Sequence, residues 1–224
     1  MRSSYSGRVL YIDLSTRKIW VEILEDIYLE KYLGGRGAAA LLLWQLTDDK
    51  TKALSKKNVL IFSPGSLTGT SAPTSGRMTV TFKSPPTGGY FKSSVGGAVG
   101  LALKYSGYDH MVIRGKASSP VYLYIGVDKV EIRDASKLWG KTVKQTNRAI
   151  KSELENRELE IACIGPAGEM LCNFASIMCS YYYAAARGGG GAVMGWKNLK
   201  AIAINPAGGK VYVREPKKFT ESVE

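Results

Sequence analysis

Short apolar segments alternate with turns rich in glycine, proline and polar residues along most of the chain. The pattern predicts many strands and few long helices. A hairpin is predicted from Arg8–Asp13 and Lys18–Ile23, with its turn at residues 14–17. Further strands are predicted at Met78–Lys83, His110–Arg114, Val121–Ile125, Leu199–Ile204 and residues 58–63, 129–133, 159–164 and 173–178. Helices are predicted over residues 25–32, 38–46 and 142–154, with a small-residue helix that ends near Ser106.

One order of elements occurs twice. A strand ending at Pro64-Gly65 is followed by a loop, by glycines 96–97, by a helix and by a strand. The same order starts with the strand ending at Gly165-Pro166 and continues through glycines 190–191. Duplicated units commonly face each other across a pseudo-twofold axis. The repeat therefore predicts that two glycine-rich turns meet and form the floor of a site for a large or two-part ligand.

The second glycine turn carries the most distinctive residues of the chain. Arg187 precedes four consecutive glycines, and a short helical segment and the strand Leu199–Ile204 follow. Glycine lets backbone amides approach a ligand closely, and the start of a helix favours phosphate-like groups. An arginine fork suits a phosphate or a polar ring edge. The alternative is a tight strand–helix turn packed against a sheet, and the sequence leaves both interpretations open.

Composition adds a strong positive charge. The 224 residues carry a formal net charge of +12 and a pI near 9.5, which suggests nucleic acid, anionic lipid or a phosphate-bearing cofactor as partner. A solvated basic surface is the alternative for each single lysine. No apolar run reaches the roughly 18 residues that cross a bilayer, so no membrane association and a cytoplasmic location are expected.

The reactive residue types predict little catalysis by the chain itself. Cys163, Cys172 and Cys179 have spacings that match no zinc or iron–sulfur pattern, and buried structural thiols are expected. The lone histidine, His110, lies beside an apolar run, so a metal site or a serine triad is poorly supported. Glu169, in a turn, is expected to be solvated. The residue types favour a domain that binds a cofactor or nucleotide over one that catalyses a reaction with its own side chains.

The sequence resembles the N-terminal domain of the tungsten-containing aldehyde:ferredoxin oxidoreductases. The similarity covers nearly the whole chain. The matching segments are GR (7–8), LGGRG (33–37), PGSLTGTSAPTSGR (64–77), KSP (83–85), GG (96–97), GYD (107–109), RDAS (133–136), WG (139–140), IGPAGE (164–169) and RGGGGAVMGWKNLKAI (187–202).

The resemblance implies an α+β domain of two mixed β-sheets related by pseudo-twofold internal duplication, with a few short helices. It implies a cofactor-binding domain over residues 1–210 and a C-terminal strand or linker at 211–224 that leads to helical domains absent from this chain. In the family, two pyranopterins chelate one tungsten (tungstopterin, with molybdenum as the variant metal), and magnesium links their phosphates. Such enzymes oxidise aldehydes to carboxylic acids and pass electrons through a [4Fe–4S] cluster to ferredoxin.

Site residues follow from the matching positions. Arg77 corresponds to the arginine between pterin and cluster, Gly96 to a pterin-contacting glycine, and Arg187 to a pterin- or phosphate-binding arginine. Ala184 falls where a backbone carbonyl helps to hold magnesium. Ser94 stands where the family usually has a magnesium-binding asparagine.

Several positions depart from the family pattern. Tyr183 stands in place of an expected arginine and Ala186 in place of an expected glycine, and the resemblance implies that both positions are cofactor-binding. Cys179-Ser180 replaces a pair resembling Asn-Asp. The resemblance implies that the cluster cysteines and the proton-transfer groups belong to the absent helical domains or to a separate subunit. Those domains or that subunit, ferredoxin and an aldehyde substrate are the expected partners. A homodimer is compatible with this interpretation. The alternatives are a non-catalytic paralogue that keeps the fold without the cofactor and acts in binding or assembly, and a nucleic-acid-binding module, which we do not expect.

Overall fold

The computed structural model describes residues 4–126, 129–206 and 208–224 and contains two six-stranded mixed sheets. In the first sheet the strand order is β2-β1-β6-β3-β4-β5. Only β1 and β6 are parallel neighbours, and the other adjacent pairs are antiparallel. Its strands are β1 (Arg8–Asp13), β2 (Lys18–Ile23), β3 (Leu60–Pro64), β4 (Met78–Lys83), β5 (Tyr90–Val95) and β6 (His110–Arg114).

The second sheet repeats this arrangement strand by strand. Its order is β8-β7-β12-β9-β10-β11, with β7 parallel to β12 and every other pair antiparallel. Its strands are β7 (Val121–Ile125), β8 (Val130–Asp134), β9 (Glu160–Cys163), β10 (Ile177–Cys179), β11 (Tyr183–Ala185) and β12 (Leu199–Ile204). The predicted α+β fold with two mixed, duplicated sheets is confirmed, and the repeat also includes the two hairpins.

The helices occupy equivalent places in the two halves. α2 (Gly35–Leu46) follows the first hairpin and α4 (Val143–Glu153) follows the second, while α3 (Val99–Tyr105) and α6 (Gly190–Trp196) each precede the parallel strand. α4 begins at a capping box in which Thr142 and Gln145 satisfy each other's backbone amides. The remaining helices are α1 (Asp26–Tyr32), α5 (Pro166–Glu169) and α7 (Pro216–Val223).

Alternate strand residues divide among three apolar clusters. Leu10 of β1 and Leu123 of β7 belong to the central cluster, so the two sheets pack face to face. The next residue along β1, Tyr11, points to the opposite side and packs with α2, and Tyr122 of β7 packs with the α4 side of the second sheet. The duplicated sheets thus form the middle of the molecule, with one long helix on each outer face.

Two lysines of the second half are fully buried. Lys197 Nζ donates to the carbonyl oxygens of Asn58 (2.6 Å) and Gly115 (3.0 Å), both in the first half of the chain. Lys200 forms an ion pair with Glu169, whose side chain is 5% exposed. The expectation that Glu169 is solvated is therefore wrong, because a buried ammonium needs an anionic or carbonyl partner.

Other differences concern the ends of elements. Residues 211–224 contain helix α7 where a strand or linker was expected, and β10 covers only the end of the strand predicted at 173–178. No helix in the described part of the chain combines the length and the apolar character needed to cross a bilayer.

Candidate functional site

The candidate site lies where the edge strands of the two sheets, β5 and β11, come into contact. The contacts run in opposite directions along the two strands. Tyr183 at the start of β11 lies against Gly96 and Gly97, and the Arg187 amide donates to Ser93 Oγ at 3.3 Å. The strands therefore lie antiparallel, and the glycine turns stand at opposite ends of this strand pair. Each turn contacts the edge strand of the other half, so the two turns frame the β5–β11 contact instead of meeting as one floor.

An aromatic ring from each half covers the glycine turn of the other. Phe91 and Tyr183 each stand five residues before a glycine turn, at Gly96 and Gly188. The Phe91 ring occupies the space that a Cβ on Gly188 would need, and Cδ2 of Tyr183 would lie 2.7 Å from a Cβ on Gly97. Gly97 and Gly188 also have φ of +82° and +79°, a region that disfavours other residues. Packing of the two halves of the chain against each other therefore requires glycine at positions 97 and 188.

The two rings differ in their surroundings. Phe91 is half-buried and packs against Phe82 with ring centroids 6.1 Å apart. Tyr183 is 50% exposed, and its hydroxyl has no hydrogen-bond partner in the residues that the structure describes. The duplicated backbone thus carries one closed and one open aromatic side chain.

The turn before Tyr183 is anchored to the first half. Ser180 Oγ accepts from the Ala98 amide at 3.2 Å and donates to Glu160 Oε2 at 2.5 Å. Ser180 and Tyr181 both have positive φ, +47° and +67°. These contacts hold the start of β11 against the residues that lead into α3.

Two arginines flank the strand contact. Arg77 directly precedes β4, whose Met78 pairs with Val95, so Arg77 lies at the same sheet end as Gly96. Arg77 and Arg187 are both exposed, and neither guanidinium has an ion-pair, hydrogen-bond or ring partner within the described ranges. Unpaired, accessible guanidinium groups suit an anionic ligand.

The loop that leads to Arg77 is ordered by its own polar residues. Thr68 is fully buried, accepts from the Gly65 amide at 3.1 Å and donates to the Ser75 carbonyl at 2.7 Å. The Ser66 carbonyl accepts from Ser4 Oγ at 2.8 Å. These bonds within the loop, together with the one from Ser4, order the segment that ends at Arg77.

Of the two residues expected to bind magnesium, Ser94 has surroundings that disfavour a cation, and Ala184 lies within strand β11. Ser94 is half-buried, and Lys92 Nζ donates to its Oγ at 3.2 Å. An ammonium at that distance disfavours a divalent cation on the Ser94 hydroxyl by like-charge repulsion. Ala184 pairs with Met178 in the middle of β11, and Ala186 is exposed immediately after the strand.

The lone histidine lies in a buried polar cluster away from this strand contact. His110 Nδ1 lies 2.8 Å from Ser63 Oγ, and Nε2 is hydrogen-bonded to the Tyr5 hydroxyl. Burial lowers the pKa of His110 to about 4, so its imidazole is neutral near pH 7. Nothing in the sequence marks Ser63 as the partner of His110, which lies 47 residues further along the chain, and both residues are fully buried and cannot reach a substrate.

Two of the three cysteines are buried as expected. Burial raises the pKa of Cys163 and of Cys179 to about 12, which suppresses the reactive thiolate. Cys172 is half-buried, and all three are free thiols.

The profile of the family described as "Aldehyde ferredoxin oxidoreductase, N-terminal domain" matches residues 9–206. The chain belongs to this family. The tungsten-containing aldehyde ferredoxin oxidoreductase of Thermococcus kodakarensis is 49% identical over 213 residues, which are 95% of this chain and 35% of that protein. The aliphatic sulfonate oxidoreductase, WOR-like subunit, of Pyrococcus furiosus is 40% identical over 96% of this chain and 37% of its own length. The chain thus spans about a third of these relatives.

A solved structure supports the same fold. The active site complex BamBC of benzoyl coenzyme A reductase, in complex with 1,5-dienoyl-CoA, superposes with a TM-score of 0.91 at 42% identity. The match covers 95% of this chain and 32% of the other. The duplicated pair of sheets is therefore the N-terminal domain of the aldehyde ferredoxin oxidoreductase family.

Proposed function

We propose that the chain is the cofactor-binding domain of an oxidoreductase that uses a tungsten or molybdenum bispterin, oxidises aldehydes to carboxylic acids and delivers electrons to ferredoxin. The observation that carries the proposal is the pair of exposed, unpaired guanidinium groups at Arg77 and Arg187 beside the β5–β11 contact. Family membership and tungsten in the names of the relatives support it.

The residues at the strand contact fit a phosphorylated planar cofactor in part. Arg77 and Arg187 supply positive charge, and Tyr183 supplies an accessible aromatic ring. Gly96 fits less directly than expected, because the Tyr183 ring already occupies the space beside it. Arg77 and Arg187 would hold phosphate or pterin edges, and Ala184 would offer its carbonyl to magnesium.

The cofactor, when bound, would supply the two-electron chemistry at its metal. This chain would bind and orient it. A [4Fe–4S] cluster, proton-transfer groups and the aldehyde pocket would come from further helical domains or from a separate subunit. Three free cysteines agree with a reducing compartment, and we place the protein in the cytoplasm.

The test is cofactor retention. The chain is purified from cells grown with tungstate and with the helical domains of a relative co-expressed, and tungsten and pterin are measured per chain. We expect stoichiometric pterin for the wild type and at least a fivefold loss for Arg187→Ala. Arg148→Ala, an exposed arginine on α4, is the matched control and should retain pterin. Lys197 is unsuitable as a control, since it is buried and bonded to two carbonyls.

A second candidate is a non-catalytic paralogue that keeps the fold for binding or assembly. Lys92 beside Ser94, and Tyr183 in place of the arginine typical of the family, favour it. A wild-type protein without metal or pterin after the same purification would support this candidate and overturn the first one.

A further inference from the structure

Strand β2, at the edge of the first sheet, turns a row of backbone groups away from its neighbour β1. The Leu24 amide donates to the Gly7 carbonyl at 2.8 Å, so alternate residues of β2, counted back from Leu24, bond β1. The backbone groups of Ile19, Val21 and Ile23 therefore point outward, and no residue that the structure describes bonds them. Val21 and Ile23 are also 39% and 52% exposed. β2 is thus an open edge to which a further strand can be added.

The equivalent edge of the second sheet, β8, is covered. The Ala135 amide donates to the Pro120 carbonyl at 2.9 Å, and this alternation turns the Ile132 carbonyl to the free side of β8. The Arg17 guanidinium, from the turn of the first hairpin, donates to that carbonyl at 2.6 Å. The duplicated fold therefore has one edge that the chain itself covers and one edge that it leaves open.

One face of β2 carries charges that match the same strand turned end for end. Lys18, Trp20 and Glu22 alternate on this face. Trp20 Nε1 donates to Glu22 Oε1 at 2.7 Å, and the Lys18 ammonium lies 5.8 Å from the Trp20 ring centroid. Neither Lys18 nor Glu22 has an ion-pair partner within the described ranges. The Trp20 ring stacks on Tyr11 with centroids 5.1 Å apart, which holds the middle of this face in place.

A single register of two antiparallel β2 strands brings these charges together. When Trp20 lies opposite Trp20 of a second copy, each Lys18 lies opposite a Glu22, and each Ile19 lies opposite a Val21. Ile19 and Val21 can then exchange backbone hydrogen bonds, because both point to the open edge. Lys18 and Glu22 form the closer, non-hydrogen-bonded pair, and the twofold axis repeats every contact.

We propose that β2 is a dimerisation edge, at which the β2 strands of two copies of this chain pair antiparallel about Trp20 with Lys18 opposite Glu22. The two first sheets then continue as one sheet across the twofold axis. A second copy is the occupant because the charge pattern of β2 complements its own reverse. This dimer needs neither the cofactor nor further domains, so it stands apart from the proposed function.

The experiment is sedimentation equilibrium of the purified chain over about a hundredfold range of concentration, where a reversible dimer shows mass action. Lys18→Glu and Glu22→Lys should each weaken dimerisation about tenfold, because each places like charges opposite each other twice. An equimolar mixture of the two variants should dimerise as well as the wild type does. Lys144→Glu, with the same charge change on the exposed face of α4, is the matched control and should leave dimerisation unchanged.

Val21→Pro tests the backbone of the edge. The Val21 amide points away from β1, so proline removes no hydrogen bond within the sheet, and it should abolish the dimer while the chain stays folded. Thermal unfolding of each variant checks the fold. A wild type that is monomeric over the whole range overturns the proposal, as does a dimer that Val21→Pro and both charge variants leave intact. A mixture of the charge variants that stays as dissociated as either variant alone would show that Lys18 does not face Glu22, which also overturns it.

Discussion

Replacing Lys197 with methionine tests the buried lysine that connects the two halves of the chain. Its ammonium is fully buried and donates to the carbonyls of Asn58 and Gly115, at 2.6 and 3.0 Å. Burial lowers the pKa of Lys197 to about 7, although the charge of Asp13 acts in the opposite direction. Methionine keeps the length of the side chain and removes the donors and the charge.

The magnitude follows from proton linkage. Between the folded pKa near 7 and the unfolded value near 10.5, the unfolded chain binds one more proton. The free energy of unfolding of the wild type therefore rises with pH in this window, by about 1.4 kcal/mol per pH unit once the folded lysine is neutral. From pH 7 to pH 9 the gain from this group is about 2 kcal/mol. The variant lacks it and leaves two buried carbonyls without a donor, at a cost of about 1–3 kcal/mol each.

The assay is urea unfolding of both proteins at pH 7 and pH 9, with Lys144→Met on the exposed face of α4 as control. The stability advantage of the wild type over Lys197→Met should grow by about 2 kcal/mol between the two pH values. Tyrosines with raised pKa values, Tyr5 and Tyr122, titrate identically in both proteins and cancel in the difference. An advantage that is the same at both pH values would refute the assignment of a depressed lysine pKa.

Three further perturbations test the packing and the buried charges. Gly188→Ala places a Cβ into the Phe91 ring at a residue with positive φ, so it should lower the free energy of unfolding, measured in urea, by about 2–4 kcal/mol. A second change, Phe91→Ala, should restore part of this loss, and an unchanged urea midpoint for Gly188→Ala would contradict the contact. Lys200→Met leaves the Glu169 carboxylate buried without its cation, so the free energy of unfolding should fall by about 3–5 kcal/mol. The double variant Lys200→Met with Glu169→Gln should lose less, and equal losses would argue against a buried ion pair. Cys163 should resist a thiol reagent at pH 8 until urea unfolds the chain, whereas rapid labelling of folded protein would show that it is accessible.

The duplicated architecture could be predicted from the sequence because both halves repeat the same local signals. The turns after the first strands of each repeat, Pro64-Gly65 and Gly165-Pro166, and the later glycine pairs mark equivalent chain reversals. Such turn signals depend on neighbouring residues alone, so they can be recognised in the sequence without knowledge of tertiary contacts. The resemblance then supplied the pairing of the sheets, which periodicity alone does not give.

The short strand β11 could not be predicted in this way. Tyr183–Ala185 has three residues with weak strand preference, and its pairing with β10 and its contact with β5 come from tertiary structure. The same holds for Lys197 and Lys200, because lysine normally indicates a surface position and only the folded chain provides carbonyl or carboxylate partners. At the candidate site, the repeat predicted that the two glycine turns would lie at a contact between the halves. It did not predict the antiparallel course that puts Gly96 and Arg187 at opposite ends of this contact, nor the ring of Tyr183 on Gly96.

The difference between Phe91 and Tyr183 has a general cause. A duplicated backbone creates two equivalent glycine turns, and the antiparallel course of β5 and β11 gives each turn an aromatic residue from the other half. Backbone symmetry fixes the places of the rings but not what covers them. Phe82 packs against the Phe91 ring, whereas the Tyr183 ring at the start of β11 is 50% exposed. One fold repeated twice thus yields a covered ring at one glycine turn and a half-exposed ring at the other.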